Sequence, residues 1–333
     1  MRRTLVILFK LTVTTGIIAF VISRLGFENI VETMTMAKVR WLLAALGIFG
    51  LSGLLGVLQW KMLLSTKGIL LSYWQACKLY FMGMFFNNFI FGFAAGDAVR
   101  IAYVKMSNQS GKAGVAATFL DRFAGLLAMM GFAFGGSLFL LNRGLIEGKV
   151  LTTAFLALFA TFAVFCGILG FLISRRLQKL LFIFIDKFPV PKKEIIRNLV
   201  SQTIIEFKDR KSILPVAGLS LFIQFMRIGV HVLCGISLGL VTATNFHYFF
   251  IFVPILAILM ILPLPFGIKE SVGGALFAFA GFKSEAAVVM EFLASLVGIL
   301  VSSVGGVLFL THSIVPKRKL QSDEIINSRS ALQ

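Results

Sequence analysis

Residues 213–238 read ILPVAGLSLFIQFMRIGVHVLCGISL, a stretch with one cation and no acid. As a helix it would rise about 39 Å, which exceeds the roughly 30 Å of hydrocarbon in a bilayer. The apolar residues run on rather than alternating at period two, so the stretch fits a membrane helix and not a barrel strand. Ser220, Gln224, Arg227, His231 and Cys234 recur within it at steps of 4, 3, 4 and 3, and so share one helical face. Arg227 falls near mid-span, too deep to snorkel easily, where a charge costs about 2.5–3.5 kcal/mol on insertion scales. Two readings explain it: a buried ion pair that fixes helix packing, or the polar wall of a cavity that attracts anions. The continuous stripe favours the cavity.

The rest of the chain is written in the same idiom. Of 333 residues, 58% are hydrophobic and 14% charged, against about 25% charged in soluble domains. That excludes a soluble globular protein, and disorder needs the opposite composition. Apolar segments lie near 4–22, 41–58, 76–95, 116–141, 151–173, 213–238, 247–262, 271–282 and 286–311. The expectation is an all-α polytopic integral membrane protein of about eight transmembrane helices, with one or two re-entrant or broken segments. The transmembrane domain would cover 1–316, and 317–333 would be a cytoplasmic tail. Cys77, Cys166 and Cys234 sit in apolar segments without CxxC spacing and read as small core residues.

The net charge of +18 is topological. Lys and Arg collect in cytoplasmic loops, and the modules that read nucleic acid are absent, so no nucleic-acid partner is expected. The 174–212 loop holds ten basic residues against four acids, and Lys317-Arg318-Lys319 follow the last segment. Both should be cytoplasmic. The first segment follows Arg2-Arg3 and lacks a small-x-small cleavage site, so it reads as a retained signal anchor with a cytoplasmic N-terminus. Counting crossings from there, 76–95 must cross an even number of times, as a re-entrant hairpin. A basic first loop (Arg24, Lys38, Arg40) opposes this orientation, and an external N-terminus would make 76–95 a full span. Within 174–212, Ile195, Ile196, Leu199, Val200, Thr203, Ile204 and Phe207 recur at helical spacing, which suits an in-plane interfacial helix or a helix packed on the bundle.

Polar residues recur where hydrocarbon should exclude them. In 286–311, Glu291, Ser295, Gly298, Ser302 and Gly305 share one face; close helix packing explains the glycines but not Glu291. Either Glu291 or Glu270 is the expected partner of Arg227. Two broken segments stand in opposite halves. One is Asn87-Asn88 followed by Gly96-Asp97-Ala98-Val99-Arg100 and then Asp121-Arg122 at the start of the next span. The other is Pro263-Leu264-Pro265-Phe266-Gly267-Ile268-Lys269-Glu270. Paired interruptions of this kind point to a transporter site, because freed amides and helix ends can hold charged groups. Interfacial anchoring is the alternative for Asp97, Arg100, Asp121 and Arg122. The candidate substrate-binding residues are Asn87, Asn88, Asp97, Arg100, Asp121, Arg122, Gln224, Arg227, His231, Lys269, Glu270 and Glu291.

Asn87-Asn88, Gly96-Asp97-Ala98-Val99-Arg100 and Phe119-Leu120-Asp121-Arg122-Phe123-Ala124-Gly125-Leu126 resemble the central signature of the flippase-like, lysylphosphatidylglycerol-synthase transmembrane-region family. The Pro263–Glu270 stretch is similar to its second signature, with Phe266-Gly267 where many relatives have more glycines. The resemblance covers roughly 5–312. It implies about eight spans with re-entrant elements, and lipid translocation as the leading role. Bifunctional members make an aminoacylated phospholipid in a separate soluble domain; no such domain is found in this sequence, so synthase activity is not carried over.

The leading expectation is therefore a flippase or transporter of an anionic-headgroup lipid or lipid-linked sugar. Arg227 and Arg100 would bind the phosphate, while Asp97, Asp121, Glu270 and Glu291 would orient basic groups or carry protons. The alternatives are a membrane-embedded transferase acting on polyprenyl-phosphate sugars and a non-catalytic membrane subunit. His231, His247 and His312 are scattered, and neither HExxH nor GxSxG occurs, so no enzyme activity, metal or cofactor is expected. The partners would be membrane lipids in the cytoplasmic membrane, and association into a homo-oligomer stays open.

Overall fold

The computed structural model describes residues 27–89, 95–106, 110–144, 149–174, 210–259 and 267–311, with scattered positions between 176 and 197. The 4–22 segment, Pro263, Pro265, most of the 174–212 loop and the 317–333 tail lie outside the described residues. The helices are α1 (Phe27–Thr35), α2 (Val39–Thr66), α3 (Tyr73–Phe89), α4 (Ala95–Met106), α5 (Gly111–Asn142), α6 (Lys149–Ile173), α7 (Arg210–Ser237), α8 (Phe249–Leu259), α9 (Ile268–Phe279) and α10 (Ser284–Thr311). A single 3-10 turn, Phe246–Tyr248, precedes α8. No strand occurs among the described residues.

Among the described residues, four stretches are long and apolar enough to cross a bilayer: Val39–Thr66, Gly111–Asn142, Leu214–Ser237 and Ser284–Thr311. Their burial is inverted relative to a soluble helix. On α7, Ser220 and Gln224 are buried while Leu221, Phe222 and Phe225 are about half exposed, at 47%, 54% and 50%. On α10, Glu291 and Ser302 are buried while Leu300, Val304 and Val307 form an exposed apolar stripe at steps of 4 and 3. Water would oppose both arrangements and lipid favours both. The chain is an all-α membrane protein.

Local signals explain several helix ends. At the start of α3, Ser72 Oγ accepts the Gln75 N–H (3.2 Å) and Gln75 Oε1 accepts the Ser72 N–H (3.1 Å), a reciprocal cap. Ser110 Oγ accepts the Ala113 N–H at the start of α5. Pro254 lies inside α8 and has no N–H to give the Phe250 carbonyl.

The structure adds to the apolar segments and moves one of them. The 76–95 segment becomes α3 and the first residue of α4, with 90–94 outside the described residues. At 17 and 12 residues, neither helix is as long as a span. The two pack closely: a Cβ on Gly96 would overlap the Gly83 carbonyl oxygen. Asp121-Arg122 do not open a span, because α5 begins at Gly111 and carries them about 15 Å into the helix.

The chain divides into two compact units, Met1–Gly53, Gly125–Phe165 and Leu221–Val301 in the first, Leu54–Ala124, Cys166–Ser220 and Ser302–Gln333 in the second. The first has an apolar core in which Phe277 packs against Phe249 (4.7 Å between ring centroids), Phe252 (5.1 Å) and Phe282 (5.2 Å). Gly273 and Gly274 let α9 lie against Glu291 and Val288 of α10. The second is built around Trp60, Leu64, Tyr80, Phe81, Arg100 and Leu120, all buried. There Gly305 sits against the Phe81 carbonyl, and Gly56 faces the Tyr80 hydroxyl.

Candidate functional site

Each unit encloses a charge cluster. In the second unit, Asp97 and Arg100 stand one turn apart on α4 and form an ion pair. Arg122 of α5 grips the same carboxylate as a fork, Nε to Oδ2 at 3.0 Å and Nη2 to Oδ1 at 2.8 Å. Arg100 Nη1 also reaches Asp121 Oδ2 at 3.4 Å, and Gln59 Nε2 donates to Asp121 Oδ1 at 2.9 Å. Ser220 Oγ completes the chain by donating to Gln59 Oε1 at 2.7 Å. The Arg100 guanidinium lies over the rings of Trp60 (5.1 Å) and Tyr80 (4.9 Å), and Trp60 Nε1 donates to Thr118 Oγ1 at 3.2 Å.

This cluster is closed. Two carboxylates balance two guanidinium groups, and Arg100 is 2% exposed. Its charge is spent on protein partners, which suits a clamp joining α2, α3, α4 and α5 rather than a phosphate ligand. Arg122 is the more open cation, with its side chain 25% exposed. The asparagines serve the same frame: Asn87 Oδ1 accepts the Gly96 N–H (2.8 Å), and Asn88 Nδ2 donates to Ser302 Oγ (2.8 Å).

In the first unit, His231 Nδ1 lies 2.9 Å from Glu291 Oε1. Glu291 is 0% exposed, and its second oxygen, Oε2, has no hydrogen-bond partner. Arg227 precedes His231 by one turn on α7, and its Nε is buried without a hydrogen-bond partner. The expected pairing of Arg227 with Glu291 or Glu270 is therefore not made. His231 takes Glu291, because a carboxylate rising from α10 meets the residue of the α7 stripe that is level with it. Glu270 is used locally: its Oε2 accepts the Gly267 N–H at 2.9 Å, its Oε1 accepts from Ser295 Oγ, and Lys269 Nζ lies 3.9 Å away. Gly267 has a φ of +99°, so the turn into α9 needs glycine, and Glu270 at the third helical position reaches back to cap it. Gln224 is buried, with its amide nitrogen against Gly125.

The twelve sequence candidates thus fall into two separate groups. Asn87, Asn88, Asp97, Arg100, Asp121 and Arg122 belong to the second unit; Gln224, Arg227, His231, Lys269, Glu270 and Glu291 belong to the first. Sequence reading did not anticipate Gln59, Trp60, Tyr80 and Thr118. The available signal was Gln59-Trp60 at the point where the 41–58 apolar run turns polar while the helix continues to Thr66. Among the described residues no group of three His, Cys, Asp or Glu side chains could hold a metal ion.

The chain is similar to the UPF0104 membrane protein PH1989 of Pyrococcus horikoshii, with 27% identity over 315 residues that cover 86% of this chain and 91% of that protein. No solved structure matches it. The two broken segments, the helical membrane architecture and the match of residues 7–310 to the family profile agree: the chain belongs to the lysylphosphatidylglycerol synthase TM region family.

Proposed function

We propose that the protein moves a lipid with an anionic headgroup, a phospholipid or a polyprenyl-phosphate-linked sugar, between the leaflets of the cell membrane, with both termini cytoplasmic. The observation that carries this reading is Arg227, a cation in a membrane-spanning helix whose Nε is buried without an acceptor. A buried donor left unmade costs about 1–3 kcal/mol, and more when charged. A phosphate oxygen supplies the missing acceptor, whereas a purely structural arginine would be expected to hold a carboxylate, as Arg100 does. Membership of the family supports a membrane lipid as the cargo. The reading assigns no covalent step, so the protein acts as a transporter and not as an enzyme.

The test is reconstitution into liposomes that carry a headgroup-labelled fluorescent phosphatidylglycerol, with a membrane-impermeant quencher added outside. Protein-containing vesicles should lose more fluorescence than empty ones, and Arg227→Ala should return them to the empty-vesicle level while expressing normally. Equal quenching with and without protein across a panel of anionic phospholipids and polyprenyl phosphates would sink the proposal.

A further inference from the structure

The His231–Glu291 pair is unusual for what surrounds it. On α7 the ionisable neighbours are Arg227 and Cys234; on α9 they are Lys269 and Glu270; on α10 the next polar group along the face is Ser295, bound to Glu270. The adjoining α8, FFIFVPILAIL, carries no ionisable residue, and neither does the 125–142 stretch of α5; Arg40 is the one charge in 39–53. His247 is buried elsewhere, among Phe139, Phe246 and Tyr248.

With His231 neutral, Arg227, Lys269, Glu270 and Glu291 sum to zero. A bound phosphodiester would leave the site at −1 inside an apolar core, and net charge there is strongly disfavoured. One proton on His231, shared with Glu291 across their 2.9 Å contact, returns the sum to zero. The open Oε2 of Glu291 is a second place on the same pair for that proton. We propose that the site takes up one proton with each anionic headgroup, held by the His231–Glu291 pair, so that lipid movement is coupled to protons. This rests on the anionic-lipid reading above and adds its energy source.

The experiment is equilibrium binding of a short-chain phosphatidylglycerol to the purified full chain between about pH 5 and pH 8. The phosphate stays ionised throughout. Affinity should fall as pH rises, by up to about tenfold per pH unit, the limit for one linked proton. A pH dye in weakly buffered solution should record up to one proton taken up per lipid bound. Glu291→Gln, which fixes the site at the charge it has when protonated, should bind tightly at every pH; His231→Gln, which leaves Glu291 alone to take the proton, should bind with an altered pH dependence; His247→Gln should behave as the unaltered protein. Binding of equal strength at all pH values, with no proton uptake, overturns the coupling and leaves the transport reading standing. No binding at any pH overturns both. The dye measurement needs only the unaltered protein, so a variant that fails to fold does not remove the test.

Discussion

Asp97, Arg100, Asp121 and Arg122 in one unit, and Arg227, His231, Glu270 and Glu291 in the other, draw on nearly the same residue types in an equally apolar setting. Their hydrogen bonding differs. Around Arg100 each carboxylate meets a guanidinium, and the cation is faced by two aromatic rings. In the other unit, Oε2 of Glu291 and Nε of Arg227 are each buried with no partner. A closed network holds helices in place, while an open one keeps capacity for a ligand. Sequence cost alone does not separate them, since both violate the apolar rule to a similar degree.

The comparison predicts an order of effects on stability. Arg100→Ala should be the most damaging, because it leaves the buried Asp121 without its guanidinium and Asp97 with Arg122 alone; a loss of about 3–5 kcal/mol is expected, read as a lowered unfolding temperature in detergent. Gly305→Ala comes next, since a methyl group would overlap the Phe81 carbonyl, at about 1–3 kcal/mol by the same measurement. Ser220→Ala removes one buried hydrogen bond to Gln59 and should cost about 1 kcal/mol. Arg227→Ala should be the mildest, neutral or stabilising by about 1 kcal/mol, because it removes a buried donor that has no partner. Its transport rate should nevertheless fall to background in the liposome assay. If Arg227→Ala destabilises the protein as severely as Arg100→Ala, the contrast between the clusters is gone.

The centres of the long helices were legible from hydropathy, because a membrane helix must be apolar across the hydrocarbon. Their ends were not. The 41–58 run continues as helix to Thr66, since backbone hydrogen bonding does not stop where side chains turn polar, and the cluster residues Gln59 and Trp60 lie in that extension. Helix α4 was hidden for the same reason: AGDAVRIAYVKM is too polar and too short to register as a span. At the candidate site, the spacing of Ser220, Gln224, Arg227 and His231 showed the shared face, and burial cost marked Arg227 and Glu291. Spacing carries no information about reach between helices, so the pairing of Glu291 with His231 in place of Arg227 needed the structure.

The glycines of α10 have a mechanical consequence. Gly305 lies against the Phe81 carbonyl and Gly306 against the Phe85 ring, so α3 rests on a track made by missing side chains. A slide of one turn, about 5.4 Å, would present Ser302 or Phe309 where only glycine leaves room. The contact therefore resists translation along α10, and the Asn88–Ser302 hydrogen bond and the Phe86–Phe309 ring pair fix it one turn to either side. In any working cycle this joint should carry α3 and α10 together and not act as a piston.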